Sequence, residues 1–425
     1  MLNKRTNSNT PKKRIICHLY WSENFNGCFV ALFCSVALVK RMCRRFWLVC
    51  VFIYSTISSY AAIDIIFDYS YDTGNYFGDE QRYIMEQVAY VFESRMGGTS
   101  FSGYRPNEDL GLTTITGANL NFDNPTTDTN VQPGIASTTS DGNVIGRQDE
   151  LIIFLGARSF GFSSSSVLAS AAATGRSGFS GSDADNNAFI AALNSKNSST
   201  TWQPLAGVSQ VNTTQSFYFD TDLTTHADAT SSGLIDFYSV MVHEVGHIMG
   251  FTSSANAWTA NKSGNFWTGA NAKAEYNNQN VPLYSTSHWD LPAPSGALNQ
   301  ANVNCLCHPS MIPSISTDKR TSFSDLDFAL LKDIGYNISA SPIGTNIGGT
   351  YTDPNWGGSY DIPVSEDYAT WFARDGGAGP GGVGIIGGGS AAPEPAYIFT
   401  LMGGLLAFLG GRKNFGKIKT LLRIA

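Results

Sequence analysis

Residues 243 to 247 read His-Glu-Val-Gly-His, and this pentapeptide constrains the fold more than any other stretch because its chemistry needs a helix. On a helix, side chains four apart share a face, so His243 and His247 can each present a ring nitrogen to one ion at roughly 2 Å. Glu244 projects beside them, where a carboxylate can take a proton from a metal-bound water and pass it to a leaving amine. The flanking residues predict the helix independently of the motif. Ser232-Gly-Leu-Ile-Asp-Phe-Tyr-Ser-Val-Met-Val supplies an N-cap and an apolar face, giving a helix over Leu234 to Met249. The competing reading is two histidines satisfied in a core beside a solvated glutamate.

Two protein ligands leave a zinc site weak, so a third is expected elsewhere. The remaining histidines of the body are His226, His288 and His308. His226 lies in an Asp- and Thr-rich loop before the helix, and His308 stands next to Cys307 and close to Met311.

After His247 the chain runs Ile-Met-Gly250-Phe-Thr-Ser253, which resembles the metzincin clan of zinc peptidases. In that clan the helix breaks at a glycine three residues past the second histidine, and the usual third ligand would fall at position 253, a serine here. Further on come Ser287-His288-Trp289, Pro309-Ser-Met311-Ile-Pro313 and Leu326-Asp-Phe-Ala-Leu-Leu-Lys-Asp-Ile-Gly335-Tyr336. This succession resembles the leishmanolysin branch, in which an insertion separates the helix from a Ser-His ligand, a Met-turn and a Leu-rich helix ending in Gly-aromatic. The resemblance covers about Ser232 to Tyr336. It implies one catalytic Zn2+ on His243, His247 and His288, Glu244 as general base, Met311 beneath the metal, and a protein or peptide substrate. Two features depart from the branch: the first strand leaves no room for a propeptide, and the body is poor in cysteine.

Charge and cysteine are distributed unevenly. Of 27 Lys and Arg and 34 Asp and Glu, residues 1–62 hold nine basic groups against Glu23, and residues 412–425 hold five with no acid. The remainder carries 13 basic and 33 acidic residues, a balance that repels nucleic acid. Cys17, Cys28, Cys34, Cys43 and Cys50 all precede the body, leaving only Cys305 and Cys307, which read as free thiols or an occasional redox pair.

Both ends read as targeting segments. Lys40, Arg41, Arg44 and Arg45, the apolar run Phe46 to Ile57, and Ser58-Ser-Tyr-Ala-Ala62 follow the order of an export signal, with cleavage after Ala61 or Ala62. A second apolar patch, Cys28 to Val39, keeps a membrane anchor in view. Residues 375–390 are mostly glycine, followed by Pro393-Glu394-Pro395, the apolar segment Ala396 to Leu409, and Arg412-Lys413. That order resembles the PEP-CTERM sorting signal of Gram-negative bacteria, and implies transient membrane anchoring, an exosortase-like sorting peptidase as partner, and a destination in the envelope, cell surface or matrix. A plain C-terminal anchor is the alternative.

Between these ends, periodicity predicts strands at Ile63–Tyr69, Leu112–Phe122, Glu150–Leu155, Val208–Val211 and Ser216–Phe219, and helices at Asp79–Glu93 and Leu326–Ile334. Residues 161–200, rich in Ser, Ala and Gly, read as a surface insertion. The expected class is α/β (α+β): a mixed twisted sheet with an active-site helix over 63–250, then a smaller irregular subdomain over 251–340 carrying the Met-turn. Residues 1–62 form the extension and signal, 341–392 a Gly-rich linker and 393–425 the sorting signal. Asp183, Asp185, Asn186 and Asn187 could line a Ca2+ site, or form a hydrophilic turn. The functional expectation is an exported zinc endopeptidase. Its alternatives are a non-catalytic surface or matrix protein on the same fold, and a zinc hydrolase of a non-peptide envelope substrate.

Overall fold

The computed structural model describes residues 63–96, 101–135, 145–161, 166–223, 233–284, 287–291, 309–315, 317, 320–339, 350–352, 359–361 and 364–376. The expected export signal at 1–62, the glycine run from 377, the expected sorting segment at 393–425, His226, His308, Cys305 and Cys307 lie outside the described residues. Among the described residues no helix is long and apolar enough to cross a membrane.

The elements in chain order are β1 (Asp64–Asp68), α1 (Asp79–Glu93), β2 (Asn119–Asp123), β3 (Asn130–Val131), β4 (Glu150–Arg158), β5 (Ala169–Ala173), β6 (Gly175–Ser177), α2 (Asp183–Ser195), β7 (Gly207–Asn212), β8 (Phe217–Tyr218), β9 (Ile235–Asp236) and α3 (Phe237–Met249). There follow α4 (Asn256–Ala260), β10 (Lys262–Ser263), β11 (Phe266–Trp267), α5 (Ala270–Glu275), β12 (Val281–Tyr284), β13 (His288–Trp289), α6 (Asp325–Asp333), β14 (Thr350–Thr352), β15 (Ser359–Asp361) and α7 (Tyr368–Trp371).

The main sheet has the order β1-β4-β7-β5, with β1, β4 and β7 parallel and β5 antiparallel at the edge. It is the mixed sheet of an α+β fold. Its central strand β4 is buried on both sides, which is why Leu151 to Leu155 run without polar alternation. Ile65, Phe67, Leu151, Ile153 and Leu155 face one core, shared with α1 and α3. The intervening Ile66, Ile152 and Phe154 face a second core with Leu120, Phe122, Phe189 and Leu193. Sheet alternation therefore survives, with both faces apolar.

Three expectations need correcting. Residues 161–200 are not simply a surface insertion, because they supply the edge strand β5, β6 and the helix α2. An Ala-Ser strand carries no polar alternation to read, and α2 announces itself only by Ser182, whose side chain accepts from the Asp185 N–H at 3.2 Å, and by Phe189 and Leu193 one turn apart. The strand expected from Leu112 begins only at Asn119. The interval 341–392 is not all linker: β14 pairs with β15, and Val364 and Trp371 are buried in the first core. There the Tyr83 hydroxyl donates to Glu366 O and the Ser365 N–H to Gln87 Oε1, both at 2.8 Å.

A second, four-stranded sheet, β10-β11-β12-β13, presents Trp267, Val281, Leu283 and Trp289 inward. Its last strand delivers His288 to the edge of α3.

Candidate metal centre

Helix α3 starts at Phe237 rather than Leu234 because Asp236 is its N-cap: the Asp236 carboxylate accepts from the Ser239 N–H at 3.1 Å. Almost every residue of α3 is buried, as suits a helix sandwiched between the main sheet and the later elements. It ends where Gly250 adopts φ 145°, a backbone conformation that L side chains rarely take, and a Cβ there would also overlap Ile334. The chain then turns so that Phe251 O comes back to His247.

Each of the three imidazoles is held from behind. His243 Nδ1 lies 2.8 Å from Ser310 O, His247 Nδ1 2.8 Å from Phe251 O, and His288 Nδ1 3.1 Å from Ser287 Oγ. A carbonyl can only accept, so His243 and His247 carry their protons on Nδ1. Their Nε2 atoms face each other at 3.1 Å, and His288 Nε2 is 3.2 Å from His243 Nε2. Burial lowers the pKa of all three rings, with the His247 and His288 charges adding to the effect on His243, and His288 falls to about 4. The rings are therefore neutral near pH 7.

This arrangement fits a metal ion. His243 and His247, protonated at Nδ1, turn bare Nε2 lone pairs toward each other, where they repel unless a cation lies between, and His288 brings its Nε2 to the same place. Tetrahedral ligands about 2.05 Å from zinc would be roughly 3.3 Å apart, close to the observed contacts. The potential ligand atoms of all three lie within 4.8 Å of one another, and among the described residues this is the one such group of three or more His, Cys, Asp or Glu side chains.

Glu244 is buried beside them, its Oε2 has no hydrogen-bond partner, and burial pushes its pKa up to about 8. Met311 is fully buried against the helix: a Cβ on Gly246 would overlap its Sδ. Ser253 lines the same cleft. The cleft holds about 780 Å³, and Val167–Ala171 and Ile312–Ile315 contribute to its lining. Among the described residues that line it, Glu244 is the only ionisable side chain besides the three histidines.

Asp183, Asp185, Asn186 and Asn187 form the first turn of α2. The Asp185 carboxylate accepts from the Thr114 N–H at 2.9 Å and the Thr114 hydroxyl at 2.7 Å, which lowers its pKa and accounts for its place in the fold.

Sequence reasoning quoted Ser287, Ser310, Asp327 and Trp289 within its motifs but gave none of them a role behind the histidines. Ser324 and Asp327 form a capping box, a pattern visible in the sequence that marks the start of α6 but not its reach toward the histidines.

No protein-family profile, curated protein or solved structure matches the chain.

Proposed function

We propose that this chain is a zinc-dependent endopeptidase of metzincin type, resembling the leishmanolysin branch, with His243, His247 and His288 as the metal ligands. The observation that carries the reading is the convergence of three imidazole nitrogens beside the unpartnered Oε2 of Glu244, in a cleft open to substrate. Zinc held there by His243, His247 and His288 would supply Lewis acidity, for polarising a scissile carbonyl and for acidifying water near neutral pH.

The remaining chemistry belongs to the chain. Glu244 accepts the proton of the attacking water and delivers it to the leaving amine. Burial raises this carboxyl to about 8, and a cation held by the three histidines would favour its ionised form and leave it poised as a base. The outer edge of β5 borders the cleft, and among the described residues no strand pairs with it. Its free N–H and C=O groups suit an extended peptide main chain. Ile235, Val240, Ile312 and Ile315 line the interior and favour an apolar side chain next to the scissile bond. Export by the segment at 46–62 and sorting through the Pro393-Glu394-Pro395 segment by an exosortase-like peptidase would place the enzyme at the envelope or cell surface.

The test is to measure zinc stoichiometry and cleavage of a mixed unfolded protein substrate for the wild type, Glu244→Ala and His288→Ala. The reading expects one zinc and cleavage in the wild type, zinc without cleavage in Glu244→Ala, and loss of zinc in His288→Ala. A wild type that binds zinc but cleaves nothing would end the peptidase reading.

A further inference from the structure

We infer that Asp327 is a positioning residue for the metal centre, a single buried carboxylate that fixes the segments carrying or orienting two of the three imidazoles. The inference rests on the reading of His243, His247 and His288 as metal ligands.

Asp327 is fully buried on α6 and gathers four donors. Its Oδ2 accepts from the Ser324 N–H and hydroxyl, both at 2.8 Å, and from the Ser310 N–H at 2.9 Å. Its Oδ1 accepts from Trp289 Nε1 at 2.8 Å. The two Ser324 contacts are explained by the capping box at the start of α6. Those to Ser310 and Trp289 are not, because neither residue belongs to that helix.

Both extra contacts lead to the metal site in one step. The carbonyl of Ser310, the residue whose N–H the carboxylate holds, accepts the His243 Nδ1 proton at 2.8 Å. Trp289 follows His288 on β13, and its own N–H donates to Met311 O at 2.8 Å, tying the two held segments together. His247 stands apart, since its partner Phe251 O lies outside this clamp. Partners behind metal-bound histidines set ring orientation and basicity. Here the partner of His243 is a peptide carbonyl, and the charge that fixes it sits one residue further back.

Asparagine cannot replace this carboxylate without loss. All four groups facing it are donors, so one side would present an NH2 to another donor. Trp289→Phe removes the Oδ1 contact together with part of a buried ring packed on Phe251, and Ser324→Ala removes only part of the cap.

The experiment measures zinc affinity by chelator competition and the visible bands of the Co2+-substituted protein, for the wild type and these three variants of the full chain. Asp327→Asn is expected to weaken zinc binding about 10- to 100-fold and to move the Co2+ bands, the range seen for outer-sphere partners of metal ligands. Trp289→Phe should weaken zinc about 10-fold, and Ser324→Ala should lower Tm while leaving zinc affinity within about twofold. Folded Asp327→Asn with wild-type affinity and bands overturns the inference, as does Ser324→Ala weakening zinc as much as Asp327→Asn. Should Asp327→Asn fail to fold, Trp289→Phe decides in its place, and an unchanged affinity there overturns it. A wild type without stoichiometric zinc removes the metal-site reading itself, an outcome distinct from unchanged variants of a zinc-binding wild type.

Discussion

Arg320 stands 2.9 Å from Asp236, the residue whose carboxylate caps the helix carrying His243 and His247. The same guanidinium reaches Asp220 at 2.7 Å, and all three side chains are almost wholly buried. Two carboxylates in a dry environment are tolerable only with such a cation between them, because unpaired buried charge is costly. Arg320→Met should therefore lower unfolding stability by about 3 to 5 kcal/mol, read from urea denaturation. A loss below about 1 kcal/mol would show that the Ser239 N–H and hydroxyl alone satisfy Asp236.

A pH dependence follows from the start of β1. Asp64 lies opposite Glu150 in the parallel pairing, its Oδ1 is buried without a partner, and its pKa rises from 3.8 to about 7 through burial and then the Glu150 charge. Below about pH 4 the folded and unfolded chains both hold this proton. Between there and pH 7 only the folded chain keeps it, so the stability it contributes is largest at low pH and is lost as pH rises through the folded value. Asp64→Asn should flatten the Tm profile between pH 4 and 8 and raise Tm at the upper end. An unchanged profile would mean that this carboxyl is ionised in the folded state throughout.

Trp371 is buried against Tyr83 of α1 although it follows the body by a glycine-containing stretch, the ring centroids lying 5.8 Å apart. Trp371→Ala should cost about 3 to 5 kcal/mol through lost burial and the cavity it leaves. The check is denaturant unfolding of the variant beside a chain truncated before Val364, which should lose at least as much. Equal stability of all three chains would show that this segment adds nothing to the fold.

What the sequence disclosed depended on the distance between the groups involved. His243, Glu244 and His247 were legible because one helical turn fixes their relation, and α1 and α6 because their apolar spacing is local. His288 was accessible only through resemblance, since 45 residues separate it from His243 and no local rule carries that contact. β5 was hidden because Ala169–Ala173 is marked by pairing with β7, a tertiary fact, rather than by its own pattern. Ser310 and Asp327 were hidden for the same reason: a serine in a loop and a capping aspartate look ordinary until β13 and α6 bring them behind the histidines.

Gly246, between Glu244 and His247, brings two opposed effects to one position. In an exposed helix Gly→Ala stabilises by about 1 kcal/mol, because alanine has less backbone freedom to lose. Here the added Cβ would overlap Met311 Sδ and press on the Phe323 ring, and overpacking a closed core costs about 1 to 3 kcal/mol. Met311 cannot move freely, since its carbonyl accepts from the Trp289 N–H and its neighbour Ser310 is held by Asp327. The clash should win, so Gly246→Ala is expected to lower stability by up to about 2 kcal/mol. It should weaken zinc binding too, because displacing Met311 drags the Ser310 carbonyl away from His243. Thermal unfolding and chelator competition on the same preparation measure both effects. A variant more stable than wild type with unchanged zinc affinity would show that the contact between Gly246 and Met311 yields without cost.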